Sequence, residues 1–200
     1  MKHAALARLS VSRETEQKLE AYLALILTWN RTINLVSRGD EPHLVERHLL
    51  DSLSLIPHLP PSLDRAVDLG SGAGFPAIPI ALATGRHFDL VEADGRKAAF
   101  LREAARITDA PVTVHARRIE HIELPPASLV TARALAPLAT LLAWATPLLA
   151  NDGCCVFPKG GTAADELSQA MLEWRMRIEQ WPSSLRPGAV ILRLSEISRV

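Results

Sequence analysis

AVDLGSGAGFPAIPIALA, residues 66–83, decides the fold. Ala66 to Leu69 is an apolar run of strand length, Gly70, Gly72 and Gly74 follow within five residues, and a helical pattern is expected from about Phe75. In an open parallel sheet, ligands sit beyond the carboxyl ends of the strands. The first strand-to-helix turn is where a backbone without side chains lets a ligand come close.

The pattern around this turn repeats. Short apolar runs (RAVDL, HFDLVEA, VTVHA, SLVTA and GCCVFP) alternate with helical segments (GRKAAFLREAARI, PLATLLAWATPLL and ADELSQAMLEWRM). Such alternation implies crossover helices and an α/β fold with a doubly wound, mostly parallel sheet. IEQWP and GAVILRL read as two closing strands joined through SSLRP. Upstream, residues 12–33 carry Leu19, Tyr22, Leu23, Ile26 and Leu27 at helical spacing, with Ser12 as N-cap and Glu14 and Glu16 in the first turn. A second helix is expected after Asp40, with Pro42 in its first turn and Val45, Leu49, Leu53 and Ile56 as its stripe. Residues 1–60 thus form an N-terminal helical cap, and 61–200 a Rossmann-like domain, together one compact unit.

Composition narrows the class without choosing the ligand. The 200 residues are 48% hydrophobic with a formal net charge of +0, so any nucleic-acid surface is a local patch. Cys154 and Cys155 are adjacent, which disfavours a disulfide between them and suits a reduced, cytoplasmic setting. No apolar run reaches the length of a membrane span, and the N-terminus lacks a secretory core, so neither a membrane nor secretion is expected. A monomer without a metal is the expectation.

The glycine loop leaves two ligands open. A dinucleotide fingerprint requires G-x-G-x-x-G/A, which fails from Gly70, where the last position is Phe75, but is met by Gly72, Gly74 and Ala77. Asp68-Leu69-Gly70-Ser71-Gly72-Ala73-Gly74 also resembles motif I of class I S-adenosylmethionine-dependent methyltransferases. Pro76 and Pro79 each remove an N–H that a pyrophosphate would use at the helix start, whereas S-adenosylmethionine has no phosphate. Glu92, after the second strand, stands where a carboxylate accepts both ribose hydroxyls of either ligand. After the third strand, Ile119 offers an apolar face for an adenine and Glu120 an acceptor.

In order along the chain, WNRTINLVS (29–37), VERHLLDSLSL (45–55), DLGSGAGFPAIPIA (68–81), VEADGRKAAFLRE (91–103) and VTARALAPL (130–138) resemble blocks of the RsmG (GidB) family. These are the bacterial 16S rRNA guanine-N7 methyltransferases. The resemblance implies S-adenosylmethionine as methyl donor, bound at Gly70, Phe75, Ile119, Glu120 and Arg133 with Glu92 on the ribose; Gly70, Gly72 and Gly74 together are read as clearing room for that donor. It implies 16S rRNA, in the small subunit or an assembly intermediate, as partner. It further implies that Arg47, His48, Asp51 and Lys159 line the cleft or contact RNA. Bland roles compete: Arg47 and Asp51 as an i, i+4 helical pair, His48 as a packing residue, and Trp29, Asn30 and Asn34 as helix-end packing and capping. Ala77 stands where the family usually has glycine, and Pro187-Gly188 replace the usual Arg-His before the last strand.

The chemistry agrees with such an acceptor. Guanine N7 carries a free lone pair and no proton, so no general base is required and the protein's work is positioning. TARALAPL lacks the Asn/Asp-Pro-Pro-aromatic motif that holds an exocyclic amine, and Cys154 and Cys155 lie in the fifth strand, outside the region of a cytosine-C5 nucleophile. Methylation leaves the ring positive, so Arg133 is assigned to the donor or a backbone phosphate, and Lys159 to RNA. Two rivals remain at this level: a nicotinamide oxidoreductase resting on Gly72, Gly74, Ala77 and Glu92, and a non-catalytic RNA-binding or assembly factor.

Overall fold

The computed structural model describes residues 11–200; the reading of the first ten residues lies outside it. Seven strands form one sheet in the order β3-β2-β1-β4-β5-β7-β6. Strands β1 (Ala66–Leu69), β2 (Phe88–Val91), β3 (Val112–His115), β4 (Ala127–Ala132) and β5 (Leu149–Lys159) run parallel. The pair β6 (Trp174–Pro182) and β7 (Val190–Arg199) closes the sheet antiparallel to β5. The strand order changes direction at β1, where β4 pairs on its other edge, and the ligand crevice of an open sheet falls beyond such a point.

Alternating side chains of β1 feed two cores. Ala66 joins the cluster built by the N-terminal helices, α3 (Ala77–Thr84) and α4 (Gly95–Thr108). Val67 and Leu69 join the opposite cluster with α5 (Leu138–Ala145), α6 (Ala163–Ala170) and the β6–β7 pair. Helix α1 (Arg13–Trp29) starts where Ser12 accepts from the Thr15 amide at 3.1 Å, and it buries Leu19, Tyr22, Leu23 and Ile26 on one face. Those four residues belong to the same cluster as Ile78 and Phe100.

Three elements depart from expectation. The segment after Asp40 is not one regular helix: a 3-10 turn (Glu41–His43), a π-helical stretch (Val45–Leu50) and a last α turn, α2 (Asp51–Leu53), follow one another. Val45, Leu49 and Leu53 are nevertheless all buried, because wide and normal turns in succession keep residues four apart on one side. Helix α3 begins at Ala77, after Pro76, and is buried nearly throughout. Helix α6 ends at Ala170, and Trp174 onward is strand. There Trp174 is buried and Met176 and Ile178 pack on the core while Arg175 and Arg177 face out, a period of two. Cys154 and Cys155 are unpaired and buried in β5, where burial pushes both thiols up. Among the described residues no helix is long and apolar enough to cross a membrane.

Candidate functional site

A cavity of about 540 Å³ opens at the carboxyl ends of β1, β2 and β4. Its floor is the glycine loop. Gly72 has φ +54°, and a Cβ built there meets nothing nearer than the Gly70 carbonyl oxygen at 3.8 Å, so it would stand in the ligand space. A Cβ at Gly70 would instead strike Leu135 Cδ1 at 2.5 Å, and one at Gly74 would strike Ile78 Cδ1 at 2.6 Å and the Tyr22 hydroxyl at 2.9 Å. Gly74 is therefore needed for packing beneath the loop and does not line the cavity, a correction to the reading that all three glycines clear ligand space.

The loop is tied down from two sides. Glu92, 8% exposed, accepts from the Gly72 amide through Oε2 and from the Asp94 amide through Oε1, both at 2.8 Å. Two backbone bonds fix the carboxylate while leaving further lone pairs for ligand hydroxyls. From below, the Tyr22 hydroxyl of α1 donates to the Ala73 carbonyl, and its ring meets Phe75 edge-on at 5.4 Å. Tyr22→Phe is expected to cost about 1–2 kcal/mol by orphaning that carbonyl, and to weaken several-fold the binding of S-adenosylmethionine, the ligand that the sequence resemblance implies. Calorimetric titration checks this, and unchanged affinity would refute the link. Asp68 at the end of β1 is fully buried and accepts from Thr131 Oγ1 at 2.7 Å; burial pushes its carboxyl up to about 7.

The opposite wall is a stack. His48 lies over Phe75 with centroids 5.1 Å apart, and the Arg133 guanidinium sits 5.7 Å from the same ring. Arg133 Nη2 lies 2.6 Å from His48 Nδ1, and since a guanidinium only donates, Nδ1 accepts and the proton resides on Nε2. Arg133 also donates to the Arg47 carbonyl at 3.3 Å, and its Nε lies 3.8 Å from Asp51 Oδ2. Burial first, and the Arg133 charge second, push His48 down to about 4.

The folded protein has thus released a proton that the unfolded chain still holds between pH 4 and 6.5. Its contribution to stability is complete above 6.5 and is lost as pH falls toward 4. The shift corresponds to about 3 kcal/mol, roughly halved for solvent screening. Thermal melts should show the gap between wild type and His48→Gln narrowing as pH drops from 7 to 5; parallel profiles would contradict it.

The cavity gathers most of the residues singled out from sequence: His48, Gly70, Gly72, Phe75, Glu92, Ile119, Glu120 and Arg133 all line it. Arg47 does not, and it pairs with Asp40 at 2.7 Å rather than with Asp51. The π-helical turn between them breaks the i, i+4 alignment, and Asp51 turns inward to Arg133 and Arg186. Lys159 also lies outside the cavity. With its side chain only 10% exposed, it donates to Glu166 Oε2 at 2.7 Å and to the Ala136 carbonyl at 3.0 Å, and Glu166 Oε2 in turn accepts from the Leu138 amide at 2.9 Å. It secures the loop from β4 into α5, which corrects the cleft assignment. Asn30 shapes the wall indirectly: its Oδ1 accepts from the amides of Leu35 and Val36, and Leu35, Val36 and Ser37 line the cavity. Trp29 packs edge-on against Phe100 at 5.7 Å.

Sequence reasoning missed Lys97, Arg118 and Leu135 in the lining, and Tyr22 beneath it. Lys97 and Arg118 were visible as basic residues beside Glu92 and Glu120, but no spacing rule aimed them inward. Among the described residues no cluster of His, Cys, Asp or Glu could hold a metal.

Sheet order, glycine loop and strand-end carboxylate together define the Rossmann-like methyltransferase class. The chain is similar over its length to a solved O-methyltransferase from Bacillus cereus in complex with SAH, with TM-score 0.59, 12% identity, and 98% of this chain and 96% of that one covered. At that identity the likeness concerns the fold. Residues 15–184 match the family described as "GidB: rRNA small subunit methyltransferase G". Curated proteins called ribosomal RNA small subunit methyltransferase G match nearly end to end. That of Granulibacter bethesdensis is 55% identical over 190 residues, covering 95% of this chain and 89% of its own. That of Rhodospirillum centenum is 53% identical over 192 residues, covering 96% and 89%. The chain belongs to the rRNA small subunit methyltransferase G family, an S-adenosylmethionine-dependent methyltransferase family. The nicotinamide reading falls with this, and α3, entered through Pro76 with no side-chain cap, offers a pyrophosphate little.

Proposed function

We propose that this protein transfers a methyl group from S-adenosylmethionine to N7 of a guanine in 16S rRNA, in the cytoplasm, on the small subunit or an assembly intermediate. The residues present fit the donor. Glu92, held by two amides, receives the ribose hydroxyls; Ile119 and Glu120 take the adenine; Gly72 leaves its Cβ space to the ligand. Phe75 and Arg133 bound the other end of the cavity and orient the donor there. The donor supplies an electrophilic methyl group on a sulfonium.

One observation carries the choice of N7. His48 is the imidazole at this wall, and its unprotonated nitrogen Nδ1 is engaged as acceptor for Arg133. It is not free to take a proton from an acceptor base, and N7 has none to give. The cavity walls therefore act by orientation and by excluding water.

The test incubates the protein with labelled S-adenosylmethionine and small ribosomal subunits from a strain lacking this methylation, then maps N7-methylguanine by chemical cleavage. Label at one guanine N7 is the expected result. Label on another atom would overturn the N7 reading, and donor binding without transfer would favour a non-catalytic assembly factor.

A further inference from the structure

His48 and Arg133 wall a second cavity as well. This one, of about 390 Å³, is bounded further by Asp40, Arg47, Leu185, Arg186 and Pro187. Leu185 to Pro187 belong to the loop between β6 and β7, so the C-terminal strand pair closes it. An in-line displacement requires reacting atoms about 3–3.5 Å apart. The acceptor must therefore occupy space that shares a boundary with the donor cavity, and the second cavity does so through His48 and Arg133.

Its charge suits one phosphate. Arg47, Arg133 and Arg186 contribute three positive charges, Asp40 and Asp51 two negative ones, and His48 is neutral at pH 7, leaving a balance of +1. The Arg47 and Arg186 side chains are 58% and 46% exposed. Arg47 spends one N–H on Asp40 at 2.7 Å, and Arg186 Nη1 stands 3.6 Å from Asp51 Oδ2, beyond hydrogen-bond reach. Most of their ten N–H donors thus remain for a ligand. Beneath them His48 Nε2, Asp51 Oδ2 and Arg133 Nη1 are buried without a hydrogen-bond partner, a rare condition to find three times in one cluster. The loop aims Arg186: its amide donates to Ser183 Oγ at 3.2 Å, and its carbonyl accepts from the Ala189 amide at 3.0 Å.

We propose that Arg186, together with Arg47, grips a backbone phosphate of the acceptor nucleotide and seats its base in the second cavity against the neutral His48. The inference rests on the reading of the protein as an RNA guanine methyltransferase. A planar guanidinium can hold a phosphate through two parallel N–H bonds.

The full-length protein is titrated with small ribosomal subunits lacking the methyl group, at fixed magnesium and increasing monovalent salt. Arg186→Ala should weaken binding about tenfold and make the slope of log affinity against log salt shallower by about 0.7–1. Donor affinity should stay within twofold. Arg186→Lys should restore the slope but only part of the affinity, and Arg186→Glu should weaken binding beyond the alanine variant. An unchanged slope and affinity, or an equal loss of donor binding, would overturn the proposal. Binding is read without turnover, so a wild-type protein that transfers no label would defeat the activity reading separately.

Discussion

Gly72→Val abolishes methyl-donor binding, with affinity falling at least a hundredfold, while the protein remains folded. The backbone at this position has φ +54°, and a new Cβ would point into open cavity. Left-handed backbone costs a non-glycine residue about 1–2 kcal/mol, which in a chain of this size lowers the melting temperature by a few degrees. The larger loss comes from two carbon branches occupying the ligand space above an amide that Glu92 holds at 2.8 Å. Calorimetric titration with S-adenosylmethionine reads the affinity, and circular dichroism confirms the fold. Retained affinity would show that this glycine serves only the turn. The same substitution at Gly74 acts differently: its Cβ meets Ile78 and Tyr22, so it should unfold the loop's support before it touches the ligand.

Arg133→Met carries the second large effect, on stability as well as binding. Asp51 is 4% exposed, and its partners are Arg133 at 3.8 Å and Arg186 at 3.6 Å. Removing one partner of a buried charge costs about 3–5 kcal/mol, because the remaining charge stays desolvated. His48 Nδ1 loses its donor in the same step. A fall of about 10 °C in melting temperature is expected. Adding Asp51→Asn removes the stranded charge, so the double variant should recover part of the loss. A strictly additive double variant, or a single loss under about 1 kcal/mol, would show that the pair is not coupled.

The site was unevenly legible in the sequence. Gly70, Gly72, Phe75, Glu92, Ile119 and Glu120 lie within a few residues of a strand end, and strand ends can be read from apolar runs and glycine spacing. Lys159 looked equally well placed at the end of β5, yet Glu166 and the Ala136 carbonyl claim its ammonium. A side chain chooses partners by distance through space, and no periodicity encodes that choice. The same reason separates Arg47 from Asp51. Four residues apart they suit an ion pair on an α-helix, but the π-helical turn points them to different neighbours.

What the sequence determined alone is therefore local in origin. The alternation of apolar runs and helical segments dictates a parallel sheet with crossovers, the bare turn after β1 marks where a ligand approaches, and the ordered blocks indicate the family. What only the tertiary structure decided are the pairings between segments distant along the chain: Tyr22 under the glycine loop, the His48–Phe75–Arg133 wall, and Asp51 between two arginines. These depend on how the N-terminal helices and the β6–β7 loop dock onto the sheet. Docking follows from burying whole apolar faces, and the polar residues carried along acquire their partners only once those faces are buried.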